Sequence, residues 1–281
     1  MKIYDCFTFY NEFELLELRL RETSDLVDHF VIVEANTTFQ NQPKDLLLKQ
    51  NWARFSQWHD KMRLVTVEDM PGGDPWANER HQRDAIMRGL TDADARDIVI
   101  IGDVDELLHR NTINYMRDNE HEIYAFRMPL FNFKFNYMLV TQDVYQVWPA
   151  AIRRAALDTP ENFRRERHAL NSFPANFRSP ELALIEHAGW HFTYFGNEDF
   201  ARNKLASFAH AESNRPEILN QLDIQDSINN GVGIIRTNTD YRFAAVEVDN
   251  YFPTTIVENI DQYRDRIIES DVSVWNYLPR F

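Results

Sequence analysis

An α/β fold with a mostly parallel central sheet and helices on both faces is predicted by three observations. Strand-like and helix-like segments alternate over the first hundred residues, as successive βαβ units require. The run Ile98-Val99-Ile100-Ile101 is apolar at consecutive positions, which fits a central strand covered on both sides rather than one with a wet face. Of 281 residues, 44% are hydrophobic and 13% aromatic, enough to bury a full core and to exclude disorder as a description of the whole chain.

Ile3 to Phe9 is the first β-rich run. Asn11 then reads as a helix cap, with Glu14 as the other half of a capping box, while Phe13, Leu16 and Leu20 recur at helical spacing toward the sheet. Residues 29–33 (His-Phe-Val-Ile-Val) form a second buried strand ending at Glu34, and residues 62–67 a third. Residues 76–90 read as one helix displaying Arg80, Arg83 and Asp84 together, and residues 97–101 as the central strand. Residues 125–137 suggest antiparallel or mixed strands, and helical patterns return at 198–212 and from an Asn214 cap through Ile228.

With 8 Gly, 11 Pro and no repeat or low-complexity tract, no linker divides the chain. The expectation is a single domain over residues 1–281, in which a half of the nucleotide-binding type (1–106) precedes a half (107–281) that shapes a second pocket. The last forty residues resist assignment; Trp275-Asn276-Tyr277-Leu278-Pro279 could be a docked tail or part of an oligomer contact.

Thirty Lys and Arg face 44 Asp and Glu, a net charge of −14. Such a surface repels phosphate backbones and anionic lipid, which argues against nucleic acid or membrane-surface partners. An anionic ligand would need a cation as mediator. The lone cysteine, Cys6, excludes an internal disulfide and a Cys-rich zinc site. No apolar stretch approaches the roughly 18 residues needed to span a bilayer, so a soluble, cytoplasmic protein is expected.

The most suggestive chemistry is Gly102-Asp103-Val104-Asp105-Glu106. A bare D-x-D says little, because 24 Asp in 281 positions predict about two such pairs by chance. Two occur, Asp92/Asp94 in a polar loop and Asp103/Asp105 directly after the buried strand, where α/β sheets place their ligands. On an extended segment both carboxylates would face one site and repel unless a cation sat between them; hard oxygen donors suit Mg²⁺ or Mn²⁺. The bland alternative is that Asp103 caps the following turn while Asp105 and Glu106 are solvated.

Downstream, Gly189-Trp190-His191-Phe192-Thr193-Tyr194 supplies an imidazole that could join two carboxylates at a metal, or could simply be a satisfied core histidine; Trp190 and Tyr194 offer faces for a sugar ring. Arg202, Lys204 and His210 follow on a helical segment, where a solvated face is the plain reading for Arg202. Glu34 could touch a nucleoside or cap a loop, and Arg80 and Arg83 could neutralise phosphate or pair with Glu79 and Asp84.

In order, Asp5-Cys6-Phe7 through Asn11-Glu12 and Leu15-Leu18-Arg19, Val33-Glu34-Ala35-Asn36 with Phe39 and Pro43-Lys44, Trp76 through Arg83-Asp84, residues 100–106, and Gly189-Trp190-His191 with Lys204-Leu205 together resemble glycosyltransferase family 17. The resemblance spans roughly residues 3–212. It implies a GT-A-like fold, a nucleotide-sugar donor and a divalent metal held through the D-x-D. Vertebrate members carry a membrane anchor and a longer chain, and the acceptor half is where members should differ most, so their acceptor is not carried over; a surface polysaccharide, lipid-linked sugar or other glycan is expected.

On that footing the sequence predicts an inverting, metal-dependent transferase using a UDP-sugar, UDP-GlcNAc among the candidates. Asp105 and His191 would bind Mn²⁺ or Mg²⁺, with Asp103 at the metal or the donor ribose. Asn11 and Glu34 would contact the nucleoside, and Arg83 and Lys204 the diphosphate. Glu186 is the first choice for the base that accepts the acceptor's proton, followed by Glu198 and Asp199. Two rivals are a metal-dependent phosphohydrolase and a non-catalytic glycan-binding protein. Oligomeric state is not legible.

Overall fold

In the computed structural model, which describes residues 1–141, 146–207, 223–233 and 241–279, the first apolar run becomes β1 (Ile3–Phe9), nearly all of it buried. It leads into α1 (Phe13–Thr23), then β2 (His29–Ala35), the short α2 (Leu47–Gln50) and β3 (Met62–Val67). α3 (Pro75–Asp84) precedes β4 (Ile98–Asp103), β5 (Glu106–Leu108) and α4 (Arg110–Asp118). β6 (Ile123–Met128), β7 (Leu130–Asn132), β8 (Tyr137–Leu139) and β9 (Gln146–Arg153) follow. Then come α5 (Pro160–Leu170), β10 (Leu182–Ile185), β11 (Gly189–Thr193) and α6 (Glu198–Ser207). α7 (Ile224–Asn229), β12 (Phe243–Ala245) and α8 (Thr254–Glu258) complete the order.

Among the described residues the strands form a seven-stranded sheet ordered β10-β6-β9-β4-β1-β2-β3 and a five-stranded sheet ordered β12-β8-β7-β11-β5. In the larger sheet β3, β2, β1 and β4 are parallel, β9 alone runs against its two neighbours, and β10 is parallel to β6. The expected class is therefore what forms. One face buries Ile3, Phe7 and Phe9 under Leu16 and Leu20 of α1 and Ile113 and Met116 of α4; the other buries Tyr4, Cys6, Val31 and Val33 under Ala85, Ile86 and Phe163. The boundary at residue 106 does not divide the sheet, since β6, β9 and β10 come from beyond it and complete it.

Several local expectations change. The helix after β1 has Glu12, not Asn11, at its cap position, without a side-chain cap bond. The Glu12 carboxylate turns back to accept from the backbone N–H groups of Tyr10 and Asn11 at 3.0 and 3.1 Å, and Glu14 pairs with Arg266 at 3.1 Å instead of closing a capping box. The segment expected as one helix over 76–90 starts on an Asp74 cap with Pro75 in its first turn and tightens into a 3₁₀ turn over Ala85–Gly89. β4 runs on to Asp103, so Asp103 ends the strand while Asp105 lies in the turn beyond it. Residues 208–222, which hold His210 and the Asn214 cap, lie outside the described residues; α7 begins on an Asp223 cap. The C-terminal segment is a docked tail: Val274 and Leu278 are buried with Leu15 and Leu18 of α1, and the Pro279 carbonyl lies 3.0 Å from His187 Nε2. No helix among the described residues is long and apolar enough to cross a membrane.

Candidate active site

Parallel strands end on one edge, and the chain turns from β4 into β5 there, at Asp103-Val104-Asp105-Glu106. Arg19 of α1 fixes this turn. Its guanidinium, 1% exposed, is held by Asp5 at 2.6 and 2.7 Å and donates to the carbonyls of Asp103, Val104 and Glu106 at 2.9, 3.2 and 2.9 Å. Gly102 leaves room for the Glu106 side chain: a Cβ there would lie 2.9 Å from Glu106 Oε2, the oxygen that accepts the Asp103 N–H at 2.9 Å.

β11 supplies the imidazole. It pairs antiparallel with β5, setting His191 opposite Glu106. Gly189 permits this approach, since a Cβ would meet the Leu107 carbonyl oxygen at 1.9 Å. β9 supplies Trp148 at a bulge: the register with β6 slips between Ala125 and Arg127, and Pro149, which has no N–H to offer a ladder, sits within it. The Trp148 ring stands edge-on to His191 at 4.3 Å.

Each aspartate already has a buried cation. Arg164 of α5, 4% exposed, donates to Asp103 at 2.8 Å and to both oxygens of Glu106 at 2.6 and 2.8 Å. Arg83 of α3 bonds Glu161 and Glu79 at 2.5 and 2.7 Å and lies 3.6 Å from Asp103. Lys204 of α6 donates to Asp105 at 2.6 Å and lies 3.8 Å from Glu12. Burial pushes the Asp103 carboxyl up, but Arg164 and Arg83 outweigh it and hold the group below its ordinary value. Burial likewise opposes the charge on Lys204, yet Asp105 and Glu12 raise its pKa. For His191 burial wins over Asp105 and Glu106, and its pKa falls below the usual 6.5. The ring is thus neutral at neutral pH, with Nε2 3.6 Å from Asp105 and Nδ1 buried without a partner.

These groups line a cleft of about 760 Å³, together with Thr8, Tyr10, Lys44, Trp76, Glu79 and Arg167 among others. Of the residues singled out in the sequence, Glu79, Arg80, Arg83, Asp103, Asp105, Glu106, His191 and Lys204 line it. Glu34, Asn11, Glu186, Glu198 and Asp199 do not. Glu34 is fully buried and accepts from the backbone N–H groups of Leu48 and Lys49 at 2.8 and 3.1 Å; it ties down α2, the loop-capping alternative. Asn11 sits on the β1–α1 turn outside the lining. Glu186 follows β10 and pairs with Arg127 at 3.0 Å. Glu198 accepts from the Ile224 N–H at 3.2 Å, and Asp199 is exposed in the first turn of α6. Trp190 is 1% exposed in the core beside Phe192, and Tyr194 packs on Lys204 at 5.9 Å, so neither presents a free face to the cleft.

Arg164, Trp148 and Arg167 escape sequence reading because their surroundings are made by the fold, as in Arg164 to Asp103 and to Glu106, 61 and 58 positions away. Arg19 alone left a signal, a charge at a helix position whose neighbours Leu15, Leu16, Leu18 and Leu20 are all buried. Among the described residues no group of three or more His, Cys, Asp or Glu is arranged to hold a metal ion; Asp105 and His191 are a pair, and Asp103 is turned to its arginines.

A profile of glycosyltransferase family 17 matches residues 1–247. Mouse β-1,4-mannosyl-glycoprotein 4-β-N-acetylglucosaminyltransferase is 26% identical over 94% of this chain and 54% of its own length; the human protein of the same name is 25% identical over 93% and 54%. The chain thus spans about half the length of the curated relatives it matches. A mannosyltransferase of Pyrobaculum calidifontis, solved with GDP-Man and Mn²⁺, aligns over 75% of this chain and 64% of its own at 13% identity and a TM-score of 0.37, too loosely to bear on mechanism. With its ordered motifs, its cleft at the strand ends and a profile match covering most of its length, the chain belongs to glycosyltransferase family 17.

Proposed function

We propose that the chain transfers a sugar, N-acetylglucosamine by analogy with its relatives, from a UDP-sugar to a glycan acceptor with inversion at the anomeric carbon. The observation that carries this reading is the convergence of Asp103, Asp105, Glu106 and His191 on one cleft at the strand ends, in a chain of this family. The family assignment favours transfer over the phosphohydrolase and lectin alternatives.

The residues present fit a divalent ion in part. Asp105 Oδ1 and His191 Nε2 are 3.6 Å apart, near the roughly 3 Å separation of neighbouring donors on an ion with bonds of about 2.1 Å. Carboxylate oxygen with neutral imidazole is a donor set that Mn²⁺ accepts. Asp105 and His191 would hold the ion, and phosphate oxygens and water would complete its shell. When bound, the ion supplies charge neutralisation for the departing nucleotide diphosphate.

The protein's own groups do the remainder. Arg19 holds the turn that aims Asp105, and Lys204 balances Asp105 until another cation takes that role. The three carboxylates expected to act as base lie outside the cleft, so the acceptor's proton goes to a carboxylate that faces it. Outside the Asp103–Glu106 turn, the Glu79 side chain is the most open of these, 18% exposed against 11% for Glu161 and 6% for Glu12, and we assign it the base. A thermal-shift screen of UDP, GDP and CMP, each with and without Mn²⁺, tests the donor class: Mn²⁺-dependent stabilisation by UDP alone is expected, and equal or absent responses to all three would overturn it.

A further inference from the structure

Positive charge in the cleft exceeds what its carboxylates pair. Arg83 and Arg164 are each anchored by carboxylates on both sides of the guanidinium. Arg167, three residues beyond Arg164 on α5, lines the same cleft and has no such partner. One terminal nitrogen donates to the Arg164 carbonyl at 2.9 Å, Nε is buried with nothing to bond, and no carboxylate of the described residues lies within the 4.0 Å of an ion pair. Burial, and then the like charge of Arg164, lower its pKa to about 10.

Lys44 repeats the pattern on the opposite side of the sequence. It lines the cleft, its Nζ is buried without a hydrogen bond over the Tyr10 ring at 5.2 Å, and burial lowers its pKa against the pull of Glu34 and Glu12. A partly buried cation without a counter-ion is costly to the fold. In a chain of net charge −14 with carboxylates to spare, leaving two such cations in one cleft marks a place where the anion arrives with the ligand.

We propose that Arg167 is the cleft's receptor for a phosphate group, its remaining terminal N–H groups providing the charged donors that phosphate oxygens accept. It takes the part expected of Arg83 and Lys204, both of which are spent on carboxylates at 2.5 to 2.7 Å. The inference rests on the nucleotide-sugar reading in one respect: there the phosphate belongs to the donor diphosphate. A phosphate-bearing acceptor presents the same chemistry.

Calorimetry at fixed Mn²⁺ with inorganic pyrophosphate, UDP, uridine and glucose 1-phosphate, on wild type, Arg167→Gln, Arg167→Lys and Arg88→Gln, separates the outcomes. Arg88 pairs with Asp69 at the surface, so its variant controls for net charge. Loss of one charge-assisted contact weakens pyrophosphate and UDP binding roughly tenfold to a hundredfold in Arg167→Gln, with uridine unchanged, partial recovery in Arg167→Lys and wild-type affinity in Arg88→Gln. A loss confined to glucose 1-phosphate upholds the receptor and assigns it to the acceptor. Arg167-dependent pyrophosphate binding without preference for any nucleoside upholds the receptor and sinks the donor reading. A folded Arg167→Gln variant that binds every phosphate as wild type does overturns the proposal.

Discussion

Asp105 and Lys204 form a buried ion pair of the cleft, with side chains 5% and 9% exposed and 2.6 Å between the charges. Changing Asp105 to Asn keeps the volume but strands the ammonium, whose next carboxylate, Glu12, is 3.8 Å away. Breaking a buried pair from one side costs about 3–5 kcal/mol; the amide oxygen still accepts a bond, so about 3 kcal/mol is expected. At the usual unfolding entropy per residue, a chain of 281 residues then loses roughly 5 °C in Tm. Lys204→Met strands Asp105 instead, with only neutral His191 nearby, and costs a similar amount. The double variant removes both charges and should unfold within about 2 kcal/mol of wild type, well short of the sum of the singles. Urea and thermal unfolding of the four proteins close the cycle. Costs that add to within about 0.5 kcal/mol would refute the pair. The double variant also gives a folded protein in which loss of turnover reflects the missing carboxylate rather than a weakened fold.

Three further outcomes are expected. Arg19→Met leaves Asp5 buried without its counter-ion and frees three carbonyls of the Asp103–Glu106 turn; a loss of about 3–5 kcal/mol in urea unfolding is predicted, and an unchanged midpoint would contradict the clamp. Glu79→Gln should lower kcat about 10²- to 10⁴-fold with little change in donor KM, whereas unchanged kcat removes Glu79 as the base. Because burial lowers the His191 pKa in the folded protein, the unfolded chain binds more protons between that value and about 6.5, so stability rises with pH through this window and levels above it. His191→Gln should flatten that rise in Tm measured from about pH 5 to 8; a slope identical to wild type would refute it.

The parallel core was legible because Ile98-Val99-Ile100-Ile101, Ile3–Phe9 and Met62–Val67 carry their pattern locally, as short runs rich in β-branched and aromatic or aliphatic residues. The D-x-D was legible through its place after that strand, and His191 through the ordered motifs of the family resemblance rather than its aromatic neighbours, which suit a core histidine equally. What misled was short-range chemistry with two uses. Glu34 ends a strand, which suits a ligand, but its carboxylate satisfies the first N–H groups of α2. Trp190 sits beside a site residue, but strand alternation turns it to the core while His191 faces the cleft. Glu186 lies close to His191 in sequence, yet β10 belongs to the large sheet and β11 to the small one, and the change of sheet carries Glu186 away. The cations of α5 could not be read because their value comes from tertiary neighbours on β4, β5 and β9.

Electron paramagnetic resonance of Mn²⁺ added to the protein with UDP tests the central claim most directly, because it counts bound metal and detects a coordinating nitrogen. Bound Mn²⁺ with nitrogen coupling in wild type, and loss of that coupling in His191→Gln, is predicted. Mn²⁺ that stays free in the presence of UDP, or nitrogen coupling that survives in His191→Gln, would contradict the assignment of Asp105 and His191 to the metal.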